Sequence, residues 1–221
     1  MKTIRYALSV LMMGLLIQAA PAVAADGKPG KKTVAKAATS LQVDPAKSSM
    51  VWTAKKVGGE HTGNVKIAKG VLSVDGKKLT GGSFDMDMTS MNNTDITNES
   101  FNAKLVNHLK SEDFFHVEKH PTSTFQITKA EPIAGAKAGE PNYTITGDLT
   151  IKGITHSISF PATVSVTGDK AEATAKIDLD RTKWDIKYRA AIIGTAADKI
   201  IDDNFTIDLK VVADKKSVAS K

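Results

Sequence analysis

The sequence predicts an all-β fold: an antiparallel sheet of many strands that curls or closes on itself, with one short helix. Three observations carry this reading. From about Leu41 to Ala213 the dominant hydrophobic period is two; glycine-containing turn signals cut the region into strand-length runs; and one interval changes to a period of four.

Taken along the chain, "SFDMDM" sets Phe84, Met86 and Met88 against Asp85 and Asp87, an apolar face against an outward polar one. In "NESFNAKLVNHLK" the apolar residues Phe101, Leu105 and Leu109 recur every four, with Val106 beside them, which is a short amphipathic helix. His108 falls on the border of that stripe. In "YTITGDLTI" Tyr143, Ile145, Gly147, Leu149 and Ile151 share one face and Thr144, Thr146, Asp148 and Thr150 the other. The pattern returns in "ITHSISFPATVSV", with Ile154, His156, Ile158, Phe160, Ala162, Val164 and Val166 inward, and in "NFTIDLKVV", with Phe205, Ile207, Leu209 and Val211 inward. Turn signals stand at Gly58-Gly59, Asp75-Gly76, Gly81-Gly82, Lys152-Gly153 and Gly168-Asp169, and Asp202-Asp203 reads as turn chemistry ahead of the last strand. A sheet with so many strands tends to curl or close.

The flanks read differently. Lys2 and Arg5, an apolar run from Ala7 to Ala20 and the small residues Ala22-Val23-Ala24 form an export signal over residues 1–24. No other stretch has the 18 or so apolar residues of a membrane span, so no transmembrane segment is expected in the mature chain, which belongs in the periplasm or secreted medium. With no cysteine, neither disulfides nor thiolate ligands and nucleophiles are available, so the domain depends on its core alone. The formal charge of +6 is concentrated at the ends. Residues 1–24 carry +2, the Lys/Ala-rich linker 25–40 carries +3 and the tail 214–221 carries +2, leaving 41–213 at −1. Nucleic acid is therefore not an expected partner, and both ends read as solvated, disordered segments.

Catalytic patterns are sparse. Three of the five histidines fall in "HLKSEDFFHVEKHPTSTF". If residues 116–120 were extended, His116, Glu118 and His120 would point the same way, neighbours about 6.6 Å apart, and adjacent pairs could chelate zinc. The alternative is a loop leading into the strand "TSTFQIT". The spacing is not that of a zinc protease, and no nucleophilic-serine, calcium-loop or phosphate-loop pattern is complete. No cofactor and no catalytic residue is assigned. Aromatics are only 5% of the chain, and the inward faces are rich in Ala, Val, Ile and Met. An eight-stranded barrel is just wide enough to be filled by side chains or to hold one small ligand, and both options stay open.

The run "HLKSEDFFHVEKHPTSTF" followed by "YTITGDLTIKGITHSISFPATV" closely resembles the YceI-like family, described as polyisoprenoid-binding or lipid-binding periplasmic proteins. "VWTAKKVGGEHTG", "LTGGSFDMDMTSM", "IDLDRTKWDI" and "DDNFTIDLKV" extend the resemblance over nearly all of residues 41–213. It implies a lipocalin-like antiparallel barrel of eight strands, covered by a short helical segment and enclosing an apolar tunnel for a long isoprenoid or related chain. The segment "KYRAAIIGTAADKII" departs from the Gly- and aromatic-containing loop expected there.

On this reading the lining is Trp52, Phe84, Met86, Met88, Phe125, Tyr143, Ile145, Leu149, Ile158, Phe160, Trp184 and Phe205, with Phe101, Leu105, Leu109, Phe114 and Phe115 from the cover. His156 either meets a ligand headgroup or lies beyond the barrel rim in solvent. Ten buried methylenes would yield about 8 kcal/mol before binding costs, the scale of micromolar affinity. The leading expectation is a non-catalytic carrier, store or scavenger of an isoprenoid, quinone-like, fatty acid or fatty amide chain. A structural or stress-response barrel with a filled core and a zinc enzyme built on His116, Glu118 and His120 are the alternatives. Pairing of two subunits along an exposed edge stays open.

Overall fold

The computed structural model describes residues 38–215. The export signal, the linker up to residue 37 and the tail from residue 216 lie outside the described residues.

Ten strands run β1 Thr39–Val43, β2 Ser49–Lys56, β3 Gly59–Asn64, β4 Lys66–Asp75, β5 Lys78–Asp87, β6 Thr122–Pro132, β7 Tyr143–Ile151, β8 Ile154–Thr167, β9 Lys170–Asp180 and β10 Ile201–Asp214. Helix α1, Glu99–Lys110, lies between β5 and β6. Thr39, Ser40 and Asp214 thus belong to strands, and the folded region is slightly wider than 41–213. All pairings are antiparallel. The order is β1-β4-β5-β6-β7-β8-β9-β10, and β10 returns to β1, so eight strands close a ring; the β2–β3 hairpin branches from β10. Burial along β7 alternates without a break, as the period of two requires.

The ring closes through a short seam, Gln42 opposite Asp214 and Val43 opposite Ala213. Ser48 secures it: the hydroxyl donates to the Asp44 carbonyl at 2.8 Å and accepts from the Val212 amide at 3.0 Å. The free edge of β3 is covered by residues 92–95. The amides of Asn92 and Thr94 donate to the carbonyls of Asn64 and Thr62, while Asn92 Oδ1 and Asp95 Oδ1 accept from the amides of Asn64 and Thr62. This blunts an edge that would otherwise recruit another strand.

Two turn expectations are corrected. Gly81-Gly82 sits inside β5, because Gly82 pairs with Leu72 and Ile127 and a Cβ there would meet the Val71 carbonyl oxygen at 2.7 Å. Asp202-Asp203 lies in β10 at a bulge between Ile201 and Phe205, where the strand bends toward a buried arginine.

The interior is unevenly filled. At the end reached by β1 and the β4–β5 turn, Leu41, Leu72, Val74, Leu79, Tyr143, Val211 and Ala213 are almost completely buried. Tyr143 Oη accepts from the Leu79 amide at 3.3 Å, so its polar tip is satisfied within that packed plug. The other end lies under α1, the turns after it and the segment between β9 and β10.

Candidate functional site

Two adjoining apolar cavities occupy the hollow half of the barrel, about 120 and 70 Å3 as the space open to the centre of a water molecule. Met50, Met86, Leu149, Leu179 and Ile207 line both, and these side chains form the neck between them. The inner cavity is walled by Phe84, Phe125 and Phe160, with centroids 6.5 Å apart for Phe84–Phe125 and 5.7 Å for Phe125–Phe160, together with Ile67, Ile158, Ile177 and Leu209. Gly147 makes room for these rings: a Cβ there would lie 2.5 Å from Phe125 Cζ.

The outer cavity is lined by Trp52, Ala54, Val65, Met88, Met91, Ser123, Ile151 and Phe205 from the barrel and its loops. Leu109 from α1, Phe114 and Phe115 from the following turn, and Ile186 and Ile201 complete the lining, with Arg181 and Asp202 at one side. The flexible thioethers of Met50, Met86, Met88 and Met91 suit a surface that must adapt to an occupant.

The cover has two parts. Helix α1 is capped by Asn98 Oδ1, which accepts from the Phe101 amide at 3.1 Å. After the helix, the Phe115 and Val117 amides donate to the carbonyls of Leu109 and Lys110, folding Phe114 and Val117 inward. The second part is the segment after β9. Trp184, only 1% exposed, donates its indole N–H to the Leu149 carbonyl at 3.2 Å. His108, Phe114 and Tyr188 join the two parts in one aromatic cluster, with centroids 4.7 to 5.3 Å apart. His108 Nε2 also bonds Asp113 Oδ2 at 2.8 Å.

Arg181 holds the second part in place. Its side chain is buried, and its donors reach the carbonyls of Asp202 at 2.9 Å, Ile186 at 2.7 Å, Tyr188 at 3.1 Å and Ile201 at 2.9 Å, with Asp203 Oδ1 at 3.5 Å. Burial pushes the guanidinium below its ordinary value, opposed by the charges of Asp203, Asp180 and Asp202; it stays protonated.

Of the lining expected from sequence, Trp52, Phe84, Met86, Met88, Leu109, Phe114, Phe115, Phe125, Leu149, Ile158, Phe160 and Phe205 meet at the cavities. Tyr143 and Ile145 belong to packed core, and Trp184 is sealed inside the cover. Phe101 is 61% exposed, because the first turn of α1 projects beyond the barrel, and Leu105 is half-buried outside the cavity walls. His156 lines neither cavity and stays partly exposed at the barrel end: its Nε2 lies 2.9 Å from the Lys183 carbonyl and its ring stands edge-on to Trp184. Met50, Ser123, Leu179 and Arg181 were not singled out from sequence. Alternation alone would have placed Ser123 on the inward face with Phe125.

Residues 116–120 form a turn, not a strand. His116 adopts φ 46°, Val117 is buried and Glu118 exposed, so Glu118 does not share a face with the histidines. The rings of His116 and His120 approach to 5.9 Å, and among the described residues no group of three His, Asp or Glu side chains is placed to hold a metal ion. Burial, then the charges of Lys119, His116 and Lys152, hold the His120 imidazole below its ordinary value.

The sequence pattern of the YceI-like domain matches residues 41–213. A UPF0312 protein of Pectobacterium carotovorum is 34% identical over 102 residues, 46% of this chain and 43% of that protein, so the match spans less than half of the curated relative. BcnA of Burkholderia cenocepacia has a similar structure, with TM-score 0.60 and 23% identity over 77% of this chain and 99% of that one. A polyisoprenoid binding domain from Saccharophagus degradans, implicated in plant cell wall breakdown, is similar at TM-score 0.56 and 11% identity, covering 80% of this chain and 98% of that one. At these identities the two structures speak to the fold alone.

Proposed function

The chain belongs to the YceI-like family, and on that premise we propose that its barrel is a non-catalytic carrier or scavenger of a long apolar chain. An isoprenoid or a related lipid is the ligand class. The observation that carries the reading is the pair of adjoining cavities, walled by aliphatic, methionine and phenylalanine side chains and sharing Met86 and Leu149 in their walls. A filled structural barrel would not leave such a volume, since protein interiors pack to the density of organic crystals. The polyisoprenoid binding domain that shares the fold supports the same ligand class. The export signal read in residues 1–24 supports a carrier that works outside the inner membrane, in the periplasm or beyond.

Native mass spectrometry of protein purified from an exported fraction, followed by organic extraction, tests the reading. A copurifying chain of defined mass is the expected result. Protein that emerges empty and gains no thermal stability from added farnesol would overturn it.

A further inference from the structure

We infer that the binding space is blind at its far end: an apolar tail enters from the cover side, and Phe84 and Phe160 form a floor that limits how long a chain is held. A polar group on the chain then stays at the cover side. This rests on the apolar-chain reading above and narrows its ligand class to chains that are polar at one end at most.

The floor lies where the empty space stops. Phe160 lines the inner cavity, whereas its cross-strand partner Ile145 is 3% exposed and lines neither cavity. Phe84 lines the inner cavity opposite Gly70 on β4. A Cβ on Gly70 would lie 2.9 Å from Phe84 Cδ1 and 2.8 Å from Val43 Cγ2, so the ring and the β1 side chain leave no room for a further carbon at that point. One layer further in, a Cβ on Gly82 would meet Leu72 Cδ2 at 3.0 Å and Ile127 Cδ1 at 3.3 Å. Leu41, Leu72, Val211 and Ala213 are almost wholly buried and line neither cavity. The β1–β10 seam shuts the wall around them. In an interior packed to crystal-like density, a chain advances beyond the floor only by displacing side chains.

Polarity runs the same way. Every side chain that lines the inner cavity is apolar, and the charged residues of the lining, Arg181 and Asp202, stand at the outer cavity. A hydroxyl on the leading end of a chain would be carried to the phenylalanine floor, dehydrated and without a side-chain partner.

Trp52 lines the outer cavity, so intrinsic tryptophan fluorescence reports occupancy. The even-numbered alcohols from octan-1-ol through dodecan-1-ol to hexadecan-1-ol, and dodecane-1,12-diol, are titrated into the wild-type chain and into Phe160→Ala. In the wild type each added methylene is expected to tighten binding about fourfold, the equivalent of about 0.8 kcal/mol, until the tail meets the floor and affinity levels off. The diol is expected to bind about tenfold more weakly than dodecan-1-ol, the scale of one unpartnered buried hydroxyl. Phe160→Ala is expected to move the limit to longer alcohols. Affinity that climbs unbroken to hexadecan-1-ol in the wild type, or a diol bound as tightly as dodecan-1-ol, would overturn the blind end while leaving chain binding intact, and neither result depends on a variant. A limit unmoved in Phe160→Ala that still melts cooperatively would overturn the floor assignment. Failure of every alcohol to bind would instead remove the apolar-chain reading and this inference with it.

Discussion

Trp184 in the cover donates its indole N–H to the carbonyl of Leu149, a residue whose side chain lines both cavities. The cover is thereby fastened to the wall of the site it closes. Trp184→Phe should lose the hydrogen bond and cost about 1 kcal/mol, whereas Trp184→Ala should cost about 3–5 kcal/mol through the cavity it leaves. Urea denaturation of the two variants measures the difference, and equal costs would show that the bond to Leu149 contributes nothing beyond ring packing.

Met86 belongs to the hollow end of the barrel and Leu72 to the packed one. Met86→Trp fills the neck and should weaken dodecan-1-ol binding at least tenfold while thermal melting remains cooperative. Leu72, 1% exposed, lies away from both cavities. Leu72→Ala should cost about 2–5 kcal/mol with affinity nearly unchanged. An unchanged affinity in Met86→Trp would remove Met86 from the binding surface.

Replacing Arg181 with Met leaves four backbone carbonyls and Asp203 without their cation. The expected cost is about 3–5 kcal/mol, as for breaking a buried ion pair by removing one partner. Hydrogen exchange should show residues 185–202 losing protection before the barrel does. Uniform loss across the chain would mean that Arg181 supports the whole fold and is no specific clasp of this segment.

Asp95 gives an acid limb to stability. Burial pushes its carboxyl up, but bonds from the Thr62 amide, His61 and Asn93 outweigh burial and hold it below the ordinary carboxylate range. The native state therefore binds the proton less readily than the unfolded chain. The stabilisation is complete above the unfolded value of about 3.9 and is lost as pH falls through the folded value. Urea midpoints should fall more steeply below about pH 4 for wild type than for Asp95→Asn, and parallel curves would sink this assignment.

Much of the barrel was legible in the chain because a strand with one face in the core writes its register as alternation. Tyr143 to Ile151 and Phe205 to Val211 point as that period requires. The glycines were harder. Gly81-Gly82 has the composition of a turn, and only the approach of the Val71 carbonyl on the neighbouring strand explains why it lies within β5.

By itself the sequence determined the fold class, the helix between β5 and β6, the family and half of the apolar wall, since each depends on local period or ordered motif. Tertiary structure decided which inward residues border empty space. Phe84 and Tyr143 are alike in sequence terms, yet one faces a cavity and the other completes the plug at the far end. It also decided the surroundings of Arg181 and His156. Whether a polar side chain is satisfied depends on carbonyls and rings brought together from distant strands, and no local pattern records that pairing.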